Sequence, residues 1–196
     1  MAKTIEFLFD FGSPTTFLAS RELPRIAERA GADLVWQPVL LGGILKAVGN
    51  MSPMDIPAKA AWMIRDLERW ADRYGVSFRM NPHFPVNTLF LMRGAVAMQR
   101  IGRLAPYADA VFAGLWQEGL DLADPEVLRG LLARHEIDSV ELQAAAASDA
   151  VKLELRTATE RAVTQGVFGC PTCFVNGEMF FGQDRLLFVE EALRRA

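Results

Sequence analysis

The sequence predicts an α/β protein, a small mixed sheet flanked by helices and interrupted by a large all-helical insertion. Three observations carry that prediction. An apolar strand, an amphipathic helix and a second strand open the chain; helical patterns fill its middle; a helix, a two-strand hairpin and a last helix close it. The expected division is one discontinuous domain, residues 1–40 plus 150–196, around a helical insertion at 41–149.

Thr4 to Asp10 (Thr-Ile-Glu-Phe-Leu-Phe-Asp) is apolar enough for a central strand. Phe11-Gly12-Ser13-Pro14 reads as a strand-to-helix turn, with Ser13 suited to the N-cap and Pro14 to the first helical position. Phe17, Leu18, Leu23, Ile26, Ala27 and Ala30 follow at helical spacing. Pro24 predicts a kink or a restart there, and Gly31 suits the C-terminal cap. Leu34 to Val39 is the second strand, so the unit is strand–helix–strand with parallel strands and a right-handed crossover.

Ile56 to Tyr74 is a long helix with Ala60, Met63, Ile64, Leu67, Trp70 and Ala71 on one face. A loop with two prolines, Asn81 to Asn87, leads to helices at Thr88–Ile101, Pro106–Gln117 and Glu126–His135, the last capped by Asp124-Pro125. Two more start at Ser139 and Ser148, the second running to Gln165, and no fixed period makes these helices a repeat. Thr172–Asn176 and Glu178–Phe181 pair as a hairpin across Asn176-Gly177. A final helix starts at Gly182-Gln183-Asp184, with Leu186, Leu187, Val189 and Leu193 on its buried side. Without its insertion, this order is the thioredoxin arrangement.

A chain of 196 residues can bury a proper core. Although 51% of it is hydrophobic, no uncharged apolar run approaches the length of a membrane span. The first residues lack the features of a signal peptide, so a cytoplasmic protein is expected, with no membrane partner. Net charge is −3 and the basic residues are dispersed, which argues against nucleic acid.

The only two cysteines form Cys170-Pro171-Thr172-Cys173. Zinc would need two further soft ligands, and the two histidines, His83 and His135, are isolated, so no metal site is expected. A redox pair needs an accessible thiolate. Here the motif runs into a strand, whose alternation sends the two sulfurs to opposite faces. The Gly166–Gly177 stretch also admits a plain reading, as a glycine- and proline-rich loop before a strand. If the Cys170-Pro171 bond is cis, the chain turns sharply, and the Cys170 backbone faces outwards to pair with an extended peptide-like ligand.

P-loop and dinucleotide fingerprints are missing, and Gly12-Ser13-Pro14-Thr15-Thr16 is not a serine-hydrolase elbow. Ser13 is still the candidate catalytic residue. At the start of a helix, free N–H groups and the helix dipole favour an anion, including the thiolate of a ligand. Plain helix capping explains a serine there equally well, and the two roles are compatible.

Five segments carry a family resemblance: Phe9–Pro14, Leu41–Asn50, Asp66–Trp70, Gly166–Thr172 and Phe181–Leu186. They resemble the 2-hydroxychromene-2-carboxylate isomerase family, kin of kappa-class glutathione transferases in the disulfide-bond-oxidoreductase superfamily. The resemblance implies a thioredoxin-like fold with a helical insertion, a homodimer, an aromatic small-molecule substrate and glutathione as cofactor. It gives Ser13 the binding and activation of the glutathione thiol. Cys170, before the cis-proline Pro171, would hold the cysteinyl part, and Gln183 and Asp184 the γ-glutamyl end. Gln183 and Asp184 also fit simple capping of the final helix.

Lys46 and Asn50 share one face if their stretch is helical, and the resemblance puts that region beside the substrate. Arg69 lies on a helix placed near the site, although Asp66–Arg69 also reads as a surface pair and Trp70 as core. Phe84, with Asn87, is a weaker pocket candidate. The implied reaction is a glutathione-dependent cis–trans isomerisation of an aromatic pyruvate. Its rivals are a kappa-type transferase or peroxidase, a non-catalytic glutathione- or peptide-binding module, and a dithiol oxidoreductase using Cys170 and Cys173. Redox members of the superfamily carry their cysteines where this chain has Ser13 and Thr16, and the loss of both excludes dithiol exchange at that corner.

Overall fold

The computed structural model describes residues 3–195. Four strands form one sheet in the order β2-β1-β3-β4. β1 (Thr4–Phe9) is central, runs parallel to β2 (Asp33–Pro38) and pairs antiparallel with β3 (Thr172–Val175). β3 turns into β4 (Glu178–Phe181) through Asn176 and Gly177, at φ 51 and 81. Both residues occupy the left-handed region that such a two-residue turn requires.

α1 (Pro14–Ala30) joins β1 to β2 and is capped by Ser13 and Gly31, as its sequence predicts. The restart expected at Pro24 does not occur, because the helix runs through it. Leu23, Ile26 and Ala27 are buried around that turn, and their packing outweighs one missing backbone hydrogen bond. α2 (Leu41–Val48) and α3 (Pro57–Tyr74) follow, linked by a short turn at Pro53–Asp55.

Then come α4 (Leu89–Arg100), α5 (Leu104–Ala113), α6 (Pro125–Arg134), α7 (Ser139–Ala147) and α8 (Asp149–Thr164). α5 starts at Leu104, two residues before the expected Pro106, and passes into a π-helical turn at Gly114–Glu118, so the helical path includes the expected end at Gln117. After the hairpin, a tight turn at Gln183–Arg185 precedes α9 (Leu186–Arg195). Leu186, Val189 and Leu193 are buried there, whereas Leu187 is exposed, since it falls off the i, i+3, i+7 stripe.

The inserted helices do not keep a core to themselves. Phe7, Phe9 and Phe11 of the central strand and its exit pack into one cluster with Phe17, Tyr107, Phe112 and Trp116. Ring centroids of Phe11 and Phe112 lie 4.8 Å apart in an edge-on arrangement that suits aromatic quadrupoles. A smaller cluster fills the other face of the sheet, with Leu8, Val39, Ile44 and Ala162. Among the described residues, no helix is long and apolar enough to cross a membrane.

Candidate active site

The exit from β1 is fixed before any ligand arrives. The Trp116 indole N–H donates to the Phe11 carbonyl at 2.8 Å, and the Phe11 N–H points at the Met92 sulfur at 3.4 Å. Asn81, itself buried, braces the turn that carries Trp116 by donating to the Leu115 and Leu120 carbonyls. The helical block therefore sets where Ser13 sits.

Ser13 is nearly buried, with extended backbone angles, and its oxygen accepts from the Thr16 N–H at 3.2 Å. Its proton goes to the Cys170 carbonyl at 3.0 Å. The Thr15 hydroxyl lies 2.8 Å from the Ser13 hydroxyl and also reaches that carbonyl, at 3.4 Å. Cys170-Pro171 is cis, as its sequence context predicts. The outward-facing carbonyl expected at Cys170 is, however, already taken by these two hydroxyls. Its N–H has no hydrogen-bond partner among the described residues. The Pro171 carbonyl accepts from Gly182 N–H, which brings Gln183 and Asp184 round to the same side.

Beside Ser13 the Asp10 carboxylate is buried and accepts three hydrogen bonds. Gly12 N–H and the Thr88 hydroxyl reach one oxygen at 2.8 and 2.7 Å, and Leu41 N–H reaches the other at 2.8 Å. Loss of water holds its pKa above 3.8 in spite of those donors. Asp10 was not expected in the site, although an acid closing an apolar strand is a signal in its own right. It clamps the start of α1, the start of α2 and the start of α4 together.

These groups open onto a cleft of about 910 Å³. Ser13, Asn50, Phe84, Cys170, Gln183 and Asp184 all line it. Thr15, Met51, Trp62, Phe168 and Phe181 do so as well; Phe168 and Phe181 fall inside two of the segments that carry the resemblance, whereas Thr15, Met51 and Trp62 lie outside all five. Trp62 and Met51 are more than half exposed, and the rings of Phe168 and Phe181 meet at a tilt of 50°, with centroids 4.6 Å apart. The Phe84-Pro85 bond is also cis, in the two-proline loop.

Lys46 and Arg69 do not line the cleft. α2 stops at Val48 and Gly49 takes φ 68, so Asn50 leaves the helix and does not share a face with Lys46, which is exposed. Asn50 instead donates to the Phe168 carbonyl at 3.0 Å. Arg69 points outwards to Asp66 at 3.7 Å, and it is Asp66 that lines the cleft. Among the described residues the charged groups of the lining are aspartates alone.

The cysteines are free and buried in opposite clusters, Cys170 with Leu8 and Val39, Cys173 with Phe7 and Val175. Burial pushes both thiols up, Cys173 to about 12, and the Asp10 charge adds to the effect on Cys170. Neither is a thiolate at neutral pH.

Residues 4–194 match the DSBA-like thioredoxin domain. A 2-hydroxychromene-2-carboxylate isomerase of Sphingobium xenophagum is 34% identical over 98% of this chain and 99% of its own length. The chain belongs to this isomerase family. A solved structure of a member, 2-hydroxychromene-2-carboxylate isomerase, superposes with a TM-score of 0.88 at 28% identity, covering 98% of this chain and 95% of that one. Kin in a second class include human glutathione S-transferase kappa 1, 26% identical over 95% of this chain and 88% of its own. The fold is thus the thioredoxin-like one, with its helical insertion, that the element order predicts.

Proposed function

We propose that the protein is a glutathione-dependent isomerase. It interconverts 2-hydroxychromene-2-carboxylate, or a related aromatic acid, with the corresponding trans-benzylidenepyruvate. The observation that carries this reading is the Ser13 hydroxyl at the N-terminus of α1, on the wall of the cleft. Family membership supplies the reaction class.

The donor set suits a small thiol-bearing peptide. Cys170 offers an unpaired N–H beside the cis-proline turn. Gln183 and Asp184 offer an amide and a carboxylate to an amino-acid head group. Ser13 and Thr15 supply hydroxyls beside the positive end of a helix. When bound, glutathione supplies a thiolate whose reversible addition turns a conjugated double bond into a single bond free to rotate.

Ser13 has one proton, held by the Cys170 carbonyl. Rotation about its Cβ–Oγ bond redirects that proton into the cleft without moving the oxygen that caps the helix, and Thr15 is close enough to take over the carbonyl. Ser13 thereby stabilises an anion without leaving its helix uncapped. A thiol with pKa of about 8.5 needs about 2.7 kcal/mol of preferential stabilisation to titrate two units lower. One hydroxyl donor plus a helix N-terminus supplies energy of that order.

The exposed rings of Trp62, Phe168 and Phe181 give an aromatic substrate apolar walls to lie against. Asn50 is placed to turn its amide towards the substrate's oxygens. A homodimer in the cytoplasm completes this reading. Isomerisation of the chromene acid, measured with and without glutathione and beside conjugation to a generic aromatic electrophile, tests it. Isomerisation that requires glutathione supports the proposal; conjugation alone would make the protein a kappa-type transferase.

A further inference from the structure

A second cleft, of about 760 Å³, opens between α2 and α8 and is also lined by α4. It shares Leu40 and Leu89 with the first cleft, and those two side chains divide them. Its charge is the reverse of its neighbour's. The first cleft is lined by aspartates, whereas the second carries Arg93, Lys152 and Arg156 against a single Glu160.

Arg93 is half-buried on α4 and makes no ion pair or hydrogen bond among the described residues. Elsewhere Arg21, Arg29, Arg100, Arg134 and Arg161 each hold a carboxylate. Arg156 is likewise without an ion pair among the described residues, and Lys152 reaches only the fully exposed carboxylate of Asp149. Both guanidinium groups keep contact with water and neither is engaged by a carboxylate among the described residues, so an anion entering the cleft finds two free bidentate donors. Most of the remaining wall is apolar, including Ala47, Leu155 and Val163, with Thr159 and Thr164 beside them. The Thr159 hydroxyl is not free to recognise a ligand by donation, since it gives its proton to the Leu155 carbonyl.

We propose that this second cleft binds an amphipathic organic carboxylate. Its head group pairs with Arg93 and Arg156, and a compact aromatic or aliphatic body packs between Leu40, Leu89 and Leu155. Two guanidinium forks match a carboxylate's paired oxygens. The apolar walls favour a ligand that carries a hydrocarbon part over a bare inorganic anion. The inference does not depend on glutathione or on catalysis, because the charged groups it uses, Arg93 and Arg156, do not line the first cleft and only the Leu40 and Leu89 walls are shared.

The test is a calorimetric titration of 2-naphthoate into the full chain, the Arg93→Gln variant and the Ala47→Trp variant. Ala47 is exposed on α2, so the tryptophan fills the cleft while leaving its charges in place. The expected result is a binding event in the wild type that weakens with added salt. It falls about ten-fold or more in Arg93→Gln and is lost in Ala47→Trp. Failure of naphthoate to bind, or binding that survives both substitutions, overturns the proposal. Competition by inorganic phosphate as effective as that of naphthoate would remove the apolar half of the argument and overturn it too. So would absence of binding together with a change of self-association in Arg93→Gln, which would make the cleft a contact between copies. Isomerase assays on the same samples are separate, so the activity can fail while the site stands, and the reverse.

Discussion

The Ser13 hydroxyl donates to the carbonyl oxygen of Cys170 at 3.0 Å, tying the start of α1 to the cis-proline turn before β3. The two residues are 157 positions apart in the chain. This bond keeps the hydroxyl proton aimed across the cleft wall while the same oxygen caps the helix through Thr16. Ser13 therefore has a structural role that can be separated from its proposed chemical one.

Replacing Ser13 by alanine removes the cap and costs about 1 kcal/mol, within the range for such caps. Urea unfolding of the variant should show a lower midpoint with an unchanged slope. The variant stays folded, since its other contacts belong to the core.

Asp10 satisfies three donors at once, from Gly12, Leu41 and Thr88. Asp10→Ala strands all three, the Thr88 hydroxyl in a buried place and the two backbone N–H groups in partly buried ones, and a loss of about 2 kcal/mol in unfolding free energy is expected. Asp10→Asn tests the charge. Burial raises the folded pKa above 3.8, so the folded state holds this proton more tightly than the unfolded state. That favours folding below pH 3.8 and is lost as pH rises through the raised value. Wild-type stability relative to Asp10→Asn should thus decline with pH across that window. Denaturation midpoints of both proteins as a function of pH check it.

Cys170 and Cys173 sit in clusters on opposite faces of the sheet, with thiols pushed up by burial. Cys170→Ala and Cys173→Ala should leave turnover essentially unchanged. In the folded wild type both thiols should resist alkylation until the chain is unfolded, which a thiol-counting reagent with and without denaturant measures. Loss of activity in Cys173→Ala alone would restore a redox reading.

Gly94 on α4 packs against the buried Tyr107 of α5, whose hydroxyl donates to the Leu91 carbonyl at 2.9 Å. A methyl group there meets the Tyr107 ring and hydroxyl. Gly94→Ala should therefore destabilise the protein by about 1–3 kcal/mol, the cost of overpacking, despite alanine's better helix propensity. Thermal unfolding shows the sign directly.

The elements legible in the sequence are those whose cause is local. β1 declares itself by its apolar run, the hairpin by Asn176-Gly177, and the start of α1 by Ser13-Pro14. Pro24 misled because a lost hydrogen bond is local, while the packing of Leu23, Ile26 and Ala27 that outweighs it is not. Lys46 and Asn50 misled because four-residue spacing means one face only while the helix lasts, and Gly49 ends it. Asp10 stayed hidden because its partners lie at positions 12, 41 and 88. The capture of the Cys170 carbonyl was invisible for the same reason. Trp62 carries no motif, and Phe168 and Phe181, although inside segments that carry the resemblance, give no sign of a lining role, since any exposed ring looks alike until the fold gathers several.

The most direct measurement of the central claim is an ultraviolet titration of the thiolate of protein-bound glutathione, in the wild type and in Ser13→Ala. The account predicts a wild-type midpoint well below the free value of about 8.5, moving back towards it in the variant. A wild-type midpoint at the free value, or one that the loss of Ser13 leaves unmoved, would contradict it.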